Sequence, residues 1–165
     1  MGIVACFTAL APGELARLRA HPDDIDQFLY PDDGDGEPPH YLHLDKAWHG
    51  LHYLLTGEAE GRPLALALAI TGGAEFGEEV GYGPARYVTA GEVAAVAAAL
   101  AGVTPDTLRE RFNPREMEAR DIYPEIIWVR DEEHALEYVL DAFADLQKFY
   151  ADAAARGDAV IQWHS

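Results

Sequence analysis

The stretch DEEHALEYVLDAFADLQKFYADAAARGDAVIQW, residues 131–163, runs from helix to stop signal to strand without interruption. Leu136, Val139, Leu140, Phe143, Leu146 and Tyr150 recur at helical spacing, which predicts one long amphipathic helix from about Asp131 to Arg156. Gly157 takes the left-handed conformation that ends a helix at little cost, and Asp158–Trp163 reads as a closing strand. A long helix feeding directly into a strand, in a chain otherwise rich in short helices, points to an α+β fold.

Working outward, Gly2–Ala9 mixes β-branched and aromatic residues before Pro12-Gly13 and reads as a buried first strand. Two short helices are expected over Pro12–Ala20 and Pro22–Leu29, each opened by a proline, followed by an exposed acidic loop over Pro31–Pro39. Leu64–Ile70 is read as a short helix with Pro63 at its first position and Gly72-Gly73 as its stop, and a glycine-rich loop then extends to Gly83. Ala85–Val88 is a strand candidate. Thr89 and Glu92 form a capping-box pattern for a helix through Ala101, which is apolar almost all round and is expected to be largely buried. Thr104-Pro105 and Asn113-Pro114 open two further helices, and Glu125–Val129, rich in Ile, Trp and Val, is a last strand candidate. The expected architecture is a single α+β domain over residues 1–165, with a small mixed sheet flanked by several helices.

With 165 residues, 49% of them hydrophobic, the chain supports one well-buried core. The single cysteine, Cys6, lies among Val4, Ala5 and Phe7 and reads as a buried strand residue, in keeping with a reducing cytoplasm. No basic leader or run of about 20 apolar residues is present, so neither a secretory signal nor a membrane span is expected. The net charge of −17 disfavours nucleic acid and anionic membranes, both of which are bound through Lys and Arg. A basic protein would instead be attracted.

Leu44–Gly57 (LDKAWHGLHYLLTG) holds one of three Trp and two of seven His. Met1-Gly2-Ile3-Val4-Ala5, Gly81-Tyr82-Gly83-Pro84-Ala85-Arg86-Tyr87, Asp121-Ile122-Tyr123-Pro124 and Ala153-Ala154-Ala155-Arg156-Gly157 accompany it in order. Together these blocks resemble the YfbM-like family, small bacterial proteins of unknown function. The resemblance spans nearly the whole chain and implies no reaction, cofactor or catalytic set.

On a helical wheel Leu44, Trp48, Leu51 and Leu55 form an apolar stripe expected in the core, while Lys46, His49, Gly50 and Tyr53 lie on another arc with His52 at the boundary. Lys46, His49 and Tyr53 are thus candidates for a polar ledge, joined by His52, Tyr82, Arg86 and Tyr123 in a His- and Tyr-lined cleft. The plainer reading is an amphipathic core helix and a structural glycine turn. His40, His43, His49 and His52 fall close together, but without recognised zinc spacing, and the acidic loop lacks the first and last ligands of an EF-hand, so no metal and no cofactor are expected. Gly81–Pro84 lacks the lysine of a phosphate loop. The only serine is Ser165, which removes a serine triad from the body of the fold.

Three functional classes therefore stand at this level: a non-catalytic cytoplasmic module engaging a basic protein through an acidic surface, an enzyme or small-molecule binder using the cleft, and a metal-dependent hydrolase using the His40–His52 cluster. The oligomeric state is not fixed by the sequence. Glu133, Glu137, Asp141 and Asp145 repeat at four-residue spacing and are the candidate partner surface, although a merely solvated face has the same pattern. From the row's repulsion alone, Glu137→Lys is expected in chemical denaturation to leave stability unchanged or to raise it by a few tenths of a kcal/mol.

Overall fold

Closing strand and opening strand lie side by side at the centre of the molecule. The computed structural model describes residues 2–59 and 64–165. Its elements in chain order are β1 (Ala5–Leu10), α1 (Pro12–Ala20), α2 (Ile25–Leu29), β2 (Tyr41–His43), α3 (Trp48–Thr56), α4 (Ala65–Leu68), β3 (Ala74–Gly81) and β4 (Gly83–Val88). They continue as α5 (Ala90–Ala101), α6 (Pro105–Arg111), α7 (Pro114–Ala119), α8 (Ile127–Asp131), α9 (Glu133–Arg156) and β5 (Ala159–His164). The strand order is β2-β1-β5-β4-β3. Every pairing is antiparallel, so the α+β class holds while the mixed sheet expected from the sequence is an antiparallel one. Strand direction follows from which distant segments meet, and no local pattern encodes that.

The sheet is covered on both faces. Ala5, Phe7, Ala9, Val88 and Val160 enter the larger core, which contains buried residues of α3, α5 and α9. Cys6, Leu10, Ala85, Ile161 and Trp163 face the other way and pack with Leu15, Leu18, Ile25 and Leu29 from α1 and α2. Burial on both sides explains why β1 and β5 are apolar nearly throughout instead of alternating.

Helix boundaries follow the chemical signals. Thr89 and Glu92 form the reciprocal capping box, Thr104 and Asn113 cap α6 and α7, and Gly57 and Gly157 end α3 and α9 with positive φ. Arg111 adds to the end of α3 by donating from Nη1 to the carbonyls of Leu54 at 2.8 Å and Leu55 at 3.3 Å, which have no intrahelical partner there. Pro63, read as the start of α4, lies outside the described residues.

Several expectations are corrected. The glycine-rich segment before Gly83 is strand β3, which tolerates its glycines through register shifts, with Gly77 at φ 73°. Glu125–Val129 forms no strand. Ile127–Asp131 is α8, and Trp128 is fully buried with its indole N–H donating to the Ile122 carbonyl. The chain breaks at Glu132 between α8 and α9, so the last helix begins at Glu133. In α5 only Val93, Val96 and Leu100 are buried, while Ala94, Ala95 and Ala98 face solvent. Alanine marks helix propensity there more than burial. Leu44, Leu51 and Leu55 are core residues as expected, but Trp48 is half-buried against the core.

At Gly50 the Trp128 ring of α8 packs directly against the backbone of α3. A Cβ there would lie 2.2 Å from the Trp128 ring, and that ring is anchored by its hydrogen bond to Ile122. Gly50→Ala gains helix propensity of at most about 1 kcal/mol and loses more to overpacking, typically about 1 to 3 kcal/mol. Net destabilisation in urea is expected, with a stabilised variant showing that Trp128 has room to move.

Candidate functional site

One row of residues in register crosses the sheet on the α3 and α9 side: Leu42, Phe7, Gln162, Arg86 and Glu75. Its apolar end lies beneath α9, where Phe7 meets Phe149 at 6.0 Å between ring centroids. Beyond Gln162 the row turns polar, and Gln162 itself is buried and donates to the Leu68 and Gly72 carbonyls. There a cleft of about 520 Å³ opens, lined by Trp48, His49, Ala59, Thr71, Gly73, Glu75, Arg86 and His164.

Trp48 forms one wall. Its ring lies 5.0 Å from His49, 5.8 Å from Tyr123 and 4.5 Å from His164. Its indole N–H donates to the Ile3 carbonyl at 2.9 Å, and the Tyr123 hydroxyl accepts from the Ile3 N–H at 2.7 Å. The segment leading into β1 is thereby clamped against α3.

His49 is fully committed. Its Nδ1 accepts the Tyr123 backbone N–H at 2.9 Å, which fixes the proton on Nε2, and Nε2–H donates to the Ala59 carbonyl at 2.8 Å. Burial pushes its pKa down, opposed by the bond to Ala59. His49 is therefore a neutral structural imidazole and offers no nitrogen to a ligand. His52 is fully buried behind the cleft, with Nδ1 3.3 Å from the Thr71 hydroxyl, so it positions Thr71 instead of facing the opening.

His164 is the chemically open histidine. Its imidazole has no hydrogen-bond partner among the described residues. Burial, with smaller contributions from the charge of Arg86 and from His49, brings its pKa down to about 4. At neutral pH it presents one donor and one acceptor nitrogen. Its backbone is held in place, since the Tyr82 N–H donates to the His164 carbonyl at 2.9 Å and Gly81 leaves room for that carbonyl.

Arg86 donates from Nη1 to the Thr71 carbonyl at 3.2 Å, and its Nε is 4.0 Å from a Glu75 carboxylate oxygen. No other acid pairs with it among the described residues.

Of the sequence-predicted cleft residues, His49 and Arg86 line the cleft, Tyr123 supports Trp48, and His52 lies behind. Three do not join. Lys46 borders a separate groove of about 250 Å³ beside Ile127, His134 and Tyr138. Tyr53, a turn further along α3, is buried near Arg120 and Glu116 and does not line the cleft. Tyr82 sits at the tip of the β3–β4 hairpin, 56% exposed, and contributes through its backbone instead of lining the cleft. Thr71, Glu75 and His164 were not singled out from the sequence, since each sits in a separate segment with no motif around it.

The His40–His52 cluster disperses: His40 and His43 are exposed, on a loop and on β2, while His49 and His52 leave α3 in different directions. Among the described residues no group of three His, Cys, Asp or Glu is placed to hold a metal ion. Cys6 is buried, its Sγ 3.4 Å from the Tyr41 hydroxyl. No described helix is long and apolar enough to cross a membrane.

Glu133, Glu137, Asp141 and Asp145 are all exposed on α9. Glu137, however, meets Arg109 of α6 at 3.0 Å.

The chain belongs to a family described as a domain of unknown function (DUF1877), whose model matches residues 1–163. Its structure is similar to the crystal structure of YfbM from Escherichia coli, a protein of unknown function, with a TM-score of 0.78 at 20% identity, covering 98% of this chain and 99% of that one. At that identity the likeness establishes the shared α+β fold. Among curated proteins none matches the chain.

Two outcomes follow. An imidazole held below its ordinary value near 6.5 lets the unfolded chain bind protons first, so its contribution is complete above about pH 6.5 and declines as pH falls toward the folded value. The stability advantage of the wild type over His164→Asn should therefore shrink between about pH 7 and about pH 4.5 in urea titrations; a constant difference would mean that His164 titrates as a hydrated imidazole. Glu137→Lys, neutral or helpful by helix repulsion alone, sets an ammonium beside Arg109 and should instead cost up to about 1 kcal/mol at low salt, as exposed pairs do.

Proposed function

We propose that the protein binds a small molecule in the cleft formed by Trp48, Thr71, Arg86 and His164. The observation that supports this is convergence: side chains from α3, from the segment before β3, from β4 and from β5 meet in one concavity of about 520 Å³. Small-molecule sites span roughly 300 to 1,000 Å³ and combine an apolar wall with a few oriented polar groups. Trp48 supplies the wall. Arg86, Thr71 and His164 supply the groups: Arg86 is held by the Thr71 carbonyl, the Thr71 hydroxyl by His52, and His164 through its backbone by Tyr82.

With its pKa brought down to about 4 by burial, His164 is a weak proton acceptor at neutral pH and serves here as a hydrogen-bonding group, as binding requires.

A second reading, that α9 docks a basic protein in the cytoplasm, draws on the exposed Glu133, Asp141 and Asp145 and on the net charge of −17, which would steer a cation toward this surface. That same charge opposes a nucleic-acid partner.

The two are separated by a thermal-shift screen against small metabolites. A ligand at about a hundred times its Kd stabilises by roughly 2.7 kcal/mol, which for a chain of this size is a rise in Tm of about 5 to 10 °C. The rise should be lost in Thr71→Val and in His164→Ala. Hits insensitive to both variants would remove the cleft from consideration. Salt-sensitive capture of a basic protein, abolished by Asp141→Lys with Asp145→Lys, would favour the α9 reading.

A further inference from the structure

Resting on the cleft as a ligand site, the geometry points to an oxyanion, a carboxylate or phosphate group on the ligand, as the moiety that Arg86, Thr71 and His164 receive. Arg86 is the core of the argument. A guanidinium carries five N–H donors in a planar fork that matches a two-oxygen anion. The Arg86 side chain is only 22% exposed, yet among the described residues one hydrogen bond, to the Thr71 carbonyl, accounts for its contacts within bonding distance. A cation so far removed from water is ordinarily matched by a close carboxylate. Its nearest carboxylate among the described residues, on Glu75, stops at 4.0 Å and is itself 64% exposed. Glu75 marks the side from which a carboxylate approaches Arg86, and it does so loosely enough to be displaced.

The neighbours complete the same preference. The Thr71 hydroxyl lines the cleft beside Arg86, and the neutral His164 imidazole offers an N–H with no competing partner among the described residues. Two kinds of donor, guanidinium and imidazole, thus face one space beside the Thr71 hydroxyl, in a chain whose net charge is −17. A cationic ligand would meet Arg86 at short range with only the solvated Glu75 to offset it, and a neutral ligand would leave the guanidinium fork unmatched.

The test titrates the full chain with sodium benzoate and with inorganic phosphate, and in parallel with neutral benzamide and cationic benzylamine. Binding is followed by calorimetry and by the His164 ring signals in NMR. Saturable binding of an anion that shifts His164, weakened about tenfold or more in Arg86→Gln, weakened less in Arg86→Lys and strengthened in Glu75→Gln, supports the inference. Which of benzoate and phosphate binds tells a carboxylate site from a phosphate site. Benzamide or benzylamine binding at His164 as tightly as the anions would overturn the oxyanion assignment while leaving the cleft a ligand site. Silence from all four probes would count against both. Should Arg86→Gln fail to fold, Glu75→Gln decides: removal of a competing carboxylate should strengthen binding of the anion that shifts His164 while leaving benzamide unaffected; unchanged or weaker anion binding overturns the inference.

Discussion

Insertion of β5 between β1 and β4 is the interaction on which the rest of the structure depends. From Ala5 opposite His164 to Leu10 opposite Ala159, β5 pairs with β1 along its whole length, and Arg86 to Val88 pair with its other edge. Val4 and Ser165 extend the ladder with reciprocal backbone hydrogen bonds of 2.9 and 3.0 Å. Without β5 the sheet falls into two two-stranded pieces, β1–β2 and β3–β4. The pairing joins segments far apart in sequence, so its loop-closure cost is repaid only by the contacts that β5 makes on both faces. The same strand delivers Val160 to one core, Ile161 and Trp163 to the other, and His164 to the cleft. Stability and site geometry are therefore properties of one strand.

Legibility in the sequence tracked how local the determining physics is. Caps and stops were readable because Thr89, Thr104, Asn113, Gly57 and Gly157 act on the backbone within a few residues of themselves. Strands were not equally readable. β3 carries Glu75, Glu78 and Glu79 among glycines because it is an edge strand with an exposed face, whereas Ile126, Ile127 and Val129 look like a strand and lie in the segment around α8. β2 has only three residues, too few for any periodicity to register. In α5 the alanines that suggested all-round burial satisfy helix propensity on a solvent face.

The site divides along the same line. Residue type alone pointed to His49 and Arg86, and both are there, but the roles depend on partners no local window contains. His49 has both nitrogens engaged, by Tyr123 and Ala59, while the open imidazole belongs to His164 at the far end of the chain. The helical wheel gathered Lys46, His49 and Tyr53 on one arc. The 3-10 turn at Asp45–Ala47 places Lys46 ahead of α3, and Tyr53, one turn beyond His49, is buried near Glu116 of α7 and Arg120. His52, placed at the boundary by the wheel, is wholly interior because α4 and the segment after it close over it.

Trp48 gives the molecule an intrinsic optical reporter. Of the three tryptophans, Trp128 is fully buried and Trp163 nearly so, 3.0 Å from the Tyr30 hydroxyl on the opposite side of the sheet. Only Trp48 combines partial solvent access with rings that line the cleft, His164 and His49 among them. Its emission should respond to whatever occupies that space and to the charge on His164, against a nearly constant background from the other two indoles. Occupancy can then be followed by light alone, with no label added, even for a ligand whose identity is still being sought.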